Sequence, residues 1–274
     1  MHDCHIRKER LARLALGSAA LAAGIGFTSF ARANTGSDMS PDVQQTESRQ
    51  APHADPIEGP EIPEPMVFDL VRSLGARQGE LEANALVQPR FRPHRAVRFE
   101  WAPEIEYAFA DGHAIELELP FVNHELEAVK LALQGTIGST PGGTMIHGWQ
   151  AIGEASIHAL EPDVQLTGVY LLGIDIARPV SAMVMAGGRV NLREGHTVAE
   201  AIFNPSVFAR VSSNVILGLE TNLAFGARSG MHTRVMPQVH LGLSDHAKLQ
   251  LGAGAEVDRR GIYPAIGGRA ILEL

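Results

Sequence analysis

Cysteine occurs once in the 274 residues, at Cys4, tryptophan twice and tyrosine three times. A single thiol excludes an internal disulfide, so an exported form of the chain must be held together by other means. Basic residues are also short: 23 Lys and Arg stand against 31 Asp and Glu, for a formal net charge of −8. That balance argues against nucleic acid as a partner. After residue 33 no stretch is apolar over the length a membrane helix needs. G-x-S-x-G, H-E-x-x-H and phosphate-loop patterns are missing too, and no cofactor motif is visible. The 12 histidines are scattered, mostly at turn positions, and read as surface imidazoles rather than metal ligands. No catalytic, cofactor-binding or metal residue is therefore assigned.

What is present begins with a leader. Arg7, Lys8, Arg10 and Arg13 precede the uncharged stretch Leu14 to Phe30, and Ala31-Arg32-Ala33 has the small-x-small form of a cleavage site. The layout predicts a secretory signal peptide over 1–33, which would carry Cys4 away with it. A membrane helix is the alternative, but the stretch is rich in Gly, Ala and Ser and barely long enough to span. Residues 34–65 differ in composition, with six prolines, seven acids and the single base Arg49. Such a segment buries too little apolar surface to fold and reads as a disordered acidic periplasmic linker.

From residue 66 to 274 the pattern has a period of two. In NVILGLETNLAFGAR, Val215, Leu217, Leu219, Leu223 and Phe225 alternate with Gly218, Glu220, Asn222, Gly226 and Arg228. Successive side chains of a strand point to opposite faces, so one face is greasy and the other small, polar or charged. About twelve such segments begin near residues 79, 97, 114, 126, 145, 163, 179, 198, 214, 233, 246 and 261. Turn signals such as Asp111-Gly112 separate them. Segments six and seven, VQLTGVYLLGIDI and PVSAMVMAGG, alternate least clearly, which leaves 10–14 strands open.

A soluble sandwich or barrel would turn the greasy faces inward. An outer-membrane barrel turns them to lipid and keeps a polar lumen. The polar faces here carry Gly218, Gly252, Gly254 and Gly267, which a solvent face has no need of and a narrow interior does. The expected fold is all-β, an antiparallel up-and-down transmembrane β-barrel of about 12 strands. Its aromatic girdles must come from few residues, among them Phe99, Trp101, Tyr107, Phe109, Phe121, Trp149, Tyr170 and Phe225. An even strand number puts both barrel termini at one end, the periplasmic one if a tether precedes the barrel. The turns at both ends are short, as in a bare barrel.

Inward parity collects Glu80, Glu82, Glu100, Glu104, Glu106, Glu116 and Glu118 on the first three strands, with Arg98 among them. Lys130, Arg210, Glu220, Arg228, Glu256 and Arg269 come from the others. These fourteen residues are the candidate lumen and permeation residues. Two arrangements suit them: an acidic wall facing a basic one across a water path, or an ion-pair network that plugs the barrel. Ser156-Ile157-His158 places a hydroxyl and an imidazole on one face, the sole hint of an outer-membrane lipid-modifying enzyme, with no third orienting group.

The stretch FADGHAIELELPFVNHELEAVKLALQGTIG resembles a hairpin of the outer-membrane proteins grouped as the "MetA-pathway of phenol degradation" family. An Asp-Gly turn leads there into an alternating strand that closes on Leu-Pro-aromatic, here Leu119-Pro120-Phe121. The resemblance covers about 35 residues and implies an outer-membrane transporter of hydrophobic or aromatic solutes, with no catalytic residue. The expected function is a passive channel for small solutes with a Glu/Arg lumen; a lipid-modifying enzyme and a plugged interaction barrel are the alternatives. Expected partners are outer-membrane lipid, small solutes and the barrel-assembly machinery.

Overall fold

The computed structural model describes residues 59–274 except Asp69, Pro93, Arg95, 159–162 and Glu194, so the expected signal peptide and most of the linker lie outside the described residues. Fourteen strands follow one another: β1 (Leu81–Arg90), β2 (Arg98–Ala110), β3 (His113–Glu118), β4 (Phe121–Val122), β5 (Glu125–Leu126), β6 (Ala128–Ser139) and β7 (Met145–Ser156). Then come β8 (Asp163–Ala177), β9 (Val180–Arg193), β10 (His196–Ser212), β11 (Val215–Gly226), β12 (Gly230–Ser244), β13 (Ala247–Asp258) and β14 (Gly261–Glu273).

Successive long strands pair antiparallel, β3 with β6 past the short β4 and β5, and β1 pairs with both β2 and β14. The sheet is thereby closed into a barrel of twelve strands with no free edge. The two-residue β4 and β5 prolong the β3 and β6 staves past Pro120 and join them in a hairpin at the rim, so they add no stave of their own. All twelve alternating segments of the sequence are staves, each starting within a few residues of its expected position.

The faces lie as a membrane barrel requires. Ile105, Leu117, Leu131, Leu166, Val207, Leu219, Leu251 and Ile266 are exposed, while Glu82, Glu106, Glu116, Gln134, Gln150, Glu220, Gln250 and Arg269 are buried. A water-soluble protein shows the reverse. Aromatic side chains gather near the two ends of this outer face. Trp101 stacks on Phe121 with ring centroids 4.4 Å apart at one end. At the other, Trp149 pairs with Tyr170 across β7 and β8, and Gly135 leaves room for the indole, since a Cβ there would stand 2.5 Å from Trp149 Nε1.

The lumen is filled from within the chain. Residues 59–80 precede β1 and touch inward side chains of strands all round the barrel, so they lie inside it. Ile62 packs against Gly173 and Ile146 near the end that carries both barrel termini. The Met66 methyl reaches Gly252 and Gly267, midway along β13 and β14. The chain then turns back: Gly75 N–H donates to Thr136 Oγ1 at 2.9 Å, and Gly112 N–H donates to the Ala76 carbonyl at 2.7 Å beside the Asp111-Gly112 turn. This insert enters and leaves by one end, with Met66 to Phe68 at its deepest point. Residues 59–65, read from composition as the end of a linker, are its descending arm: Pro and Glu forbid a core of their own but not a seat in a ready-made one. Beyond the tip, toward the other end, Arg90 and Glu100 are about one third exposed.

Candidate functional site

Cross-strand register builds the acidic wall. Glu82 stands opposite Glu106 and Glu106 opposite Glu116; in the next row Asn84 faces Glu104, Glu104 faces Glu118, and Glu118 faces Lys130. Like charges directly opposite one another destabilise a sheet, and buried carboxylates must be paired. Arg269 supplies one answer from β14. Fully buried, it donates from Nη2 to Glu104 Oε1 at 3.0 Å and to Glu106 Oε1 at 3.2 Å, and from Nε to Asn84 Oδ1 at 3.1 Å. Lys130 supplies another, with Nζ 3.1 Å from Glu116 Oε1 and in contact with Glu118.

The remaining partner is in the insert. Arg72 pairs with Glu82, donates from Nη2 to Glu80 Oε2 at 3.1 Å, and lies 4.0 Å from Glu106 Oε2. Gln134 binds the same loop from the facing strand, accepting the Val71 N–H at 3.0 Å and donating to the Arg72 carbonyl. Across the lumen Glu220 holds the tip. Its carboxylate accepts the consecutive N–H groups of Met66 (2.9 Å), Val67 (3.0 Å) and Phe68 (2.9 Å), together with Asn222 Nδ2 at 2.9 Å. Three backbone donors converging on one buried carboxylate form an anion nest that ties the insert to β11.

Toward the end away from the barrel termini, at the mouth, Glu256 gathers Arg90 (3.2 Å), Arg92 (2.6 Å), Arg234 (2.9 Å) and His232 (3.3 Å), while Arg90 Nε also donates to Glu100 at 2.6 Å. The hydrogen bond to Glu256 raises the pKa of Arg92, which sits in the loop after β1, above the usual guanidinium value.

Of the fourteen candidates, Glu80, Glu82, Glu104, Glu106, Glu116, Glu118, Lys130 and Arg269 come together in the acidic wall, Glu100 and Glu256 meet at the mouth, and Glu220 is the latch. Arg210 lies at the opposite end, 3.4 Å from Glu61 of the insert. Two assignments need correction. Arg228 is exposed in the turn between β11 and β12, because β11 ends at Gly226 and the alternation cannot be extended past it. Arg98 is exposed at the first residue of β2, so its inward parity leaves it on the rim.

The expected basic wall is corrected as well. Closure of β1 onto β14 puts Arg269 beside the carboxylates instead of opposite them. What faces them is apolar: Ile146, Val169, Leu171, Met183, Met185, Ile202 and Phe208, packed on Ile62 and Leu70 of the insert. This apolar inner face explains why segments six and seven alternate poorly, since β8 and β9 have a greasy side toward lipid and another toward the insert. That lost alternation was the one sequence sign of an occupant. Arg72, Asn84 and Arg234 carried no such sign, nor did Glu64 of the insert, whose Oε2 lies 3.8 Å from Arg269 Nη1. Of the Ser156–His158 pair, Ser156 Oγ donates to the Glu127 carbonyl at 3.5 Å, and His158 lies beyond the end of β7.

A closed antiparallel barrel, greasy outside and polar within, has solved counterparts. An outer-membrane channel from Pseudomonas putida F1 aligns over 73% of this chain and 97% of its own, with a TM-score of 0.55 at 9% identity. The KdgM porin in complex with disordered oligogalacturonate aligns over 69% of this chain and 97% of its own, with a TM-score of 0.51 at 8% identity. The fold is that of an outer-membrane β-barrel. In sequence the chain matches no protein-family description and no curated protein. The likeness to outer-membrane barrels is thus one of architecture, and the narrower resemblance to the phenol-degradation family rests on residues 109–138 alone, from the end of β2 into β6.

Proposed function

We propose that this barrel is a small-solute channel of the outer membrane, closed here by its own residues 59–80. The observation that carries the reading is the way the insert is held. It is a re-entrant loop that no strand crosses, so it can withdraw through the end by which it entered. It is fastened by polar contacts at Glu220, Gln134 and the Arg72 cage. A wall meant only to be solid has simpler means, since wall side chains can meet and fill a narrow barrel directly. The chain is exported and loses its leader near Ala33, and the barrel termini lie on the periplasmic side. Barrel-assembly machinery and lipid are its partners in biogenesis. The two solved counterparts are described as a channel and as a porin, which supports transport as the activity. The phenol-degradation resemblance supports hydrophobic or aromatic solutes.

The rival is a permanently plugged interaction barrel, favoured by the buried pairing of Arg269 with Glu104 and Glu106. Single-channel recording separates the two. The full chain should show rare, brief openings, and Glu220→Gln, which removes the charge at the latch, should raise the open probability. Two folded barrels that pass no current under any voltage would end the channel reading.

A further inference from the structure

The insert acts as a ligand that the chain supplies to its own lumen, and its contacts show which groups that lumen holds. Arg72 puts a guanidinium among Glu80, Glu82 and Glu106. Glu106 is fully buried, and its Oε2, which faces that guanidinium, accepts no hydrogen bond among the described residues. Two residues away Leu70, also fully buried, lies on the wall of Leu171, Met183 and Phe208. One cross-section of the barrel therefore offers a carboxylate cage on one side and an apolar, methionine-containing surface on the other. The wall's own cations there, Arg269 and Lys130, are fewer than the carboxylates of Glu82, Glu104, Glu106, Glu116 and Glu118. The insert also brings a carboxylate to this wall, Glu64 Oε2 at 3.8 Å from Arg269 Nη1, so removing Arg72 alone leaves this side of the lumen one cation short.

We propose that the lumen binds small organic cations with an apolar body, amidinium, guanidinium or ammonium groups on a hydrocarbon or aromatic frame, at the place now taken by Arg72 and Leu70. An anion of the same size meets uncompensated carboxylates. A neutral hydrophobe satisfies only the apolar side, and an inorganic cation only the charged one. Passage of such a solute rests on the channel reading above; its binding does not.

The test uses the full chain with Leu70→Ala, which uncovers the apolar wall, as the reference protein, the same chain also carrying Arg72→Ala, which empties the cage, and three probes. Benzamidinium has charge and body, guanidinium has charge alone, and benzoate has a similar body with the opposite charge. Binding is read by calorimetry and by the rise in unfolding temperature. Benzamidinium should bind the double variant about tenfold more tightly than it binds the reference protein, and about tenfold more tightly than guanidinium does. Adding Glu82→Gln and Glu106→Gln should abolish the difference. Benzoate binding as tightly as benzamidinium, or a benzamidinium affinity indifferent to the two glutamine substitutions, overturns the proposal. If the double variant does not refold unaided, its refolding yield in benzamidinium is compared with that in sodium benzoate, and equal yields overturn it. Binding without any current in the bilayer keeps the site and removes only the channel.

Discussion

Leu219 and Glu220 are adjacent in the chain, yet one meets lipid and the other is sealed in the lumen. Leu219→Arg puts a charge on the lipid face near the middle of β11 and should cost about 2–4 kcal/mol of barrel stability. Denaturant unfolding in detergent or lipid checks it; a cost within a few tenths of a kcal/mol would mean that the faces are assigned the wrong way round. Arg269 differs in kind. It bridges Glu104, Glu106 and Asn84, so Arg269→Met leaves two buried carboxylates short of a partner, for a loss of about 3–5 kcal/mol. Restoring neutrality with Glu104→Gln and Glu106→Gln in the same chain should recover most of that loss, which a purely steric role for the arginine would not allow.

At the scale of elements, the insert is the part that sequence patterning missed. A strand announces itself by a local period of two, whereas residues 59–80 form neither strand nor helix and take their conformation from the walls around them. Glycines on those walls make the room. Gly173 accommodates Ile62 so closely that an added Cβ would lie 3.5 Å from the Ile62 Cβ. That separation suits a disulfide. The pair Ile62→Cys and Gly173→Cys, in a chain with Cys4→Ser, should cross-link on oxidation and pin the descending arm. Oxidised barrels should lose their openings and regain them in reductant. Openings that persist with the cross-link formed would show that current does not depend on movement of this arm.

The β4–β5 hairpin is a second lesson at this scale. Leu119-Pro120-Phe121 reads as the close of a strand, and β3 does stop at Glu118. Proline lacks the N–H for the ladder and interrupts the strand there, but β4 resumes on β2 in the register of β3, and the β4–β5 hairpin turns the chain back into β6.

For the whole molecule, a closed hydrogen-bonded barrel with an apolar exterior should migrate differently on a gel before and after boiling and should need detergent to remain in solution. A folded, monodisperse protein in plain buffer would contradict the membrane assignment. Its open state should prefer cations, because carboxylates outnumber cations along one wall once Arg72 has left. The preference should be largest at low ionic strength and shrink as screening grows. Reversal potentials across a salt gradient measure it, and an anion-selective or salt-indifferent channel would contradict the charge of that wall.

Strand number, facing and lipid exposure were legible in the sequence because each depends on nearest neighbours along the chain. A period of two assigns a side to every residue, and turns at short intervals count the staves. The same parity put Glu82, Glu106, Glu116 and Glu220 inside the barrel. Which charges meet inside was not legible. That depends on closure, which brings Arg269 of β14 beside Asn84 of β1 across 185 positions of sequence, and on register, which stacks Glu82, Glu106 and Glu116 in one row. It depends also on a segment whose composition resembles a linker. Arg72 becomes the counter-ion of the acidic wall, and Ile62 and Leu70 cover the apolar one, because the finished barrel presents a surface that no local pattern contains.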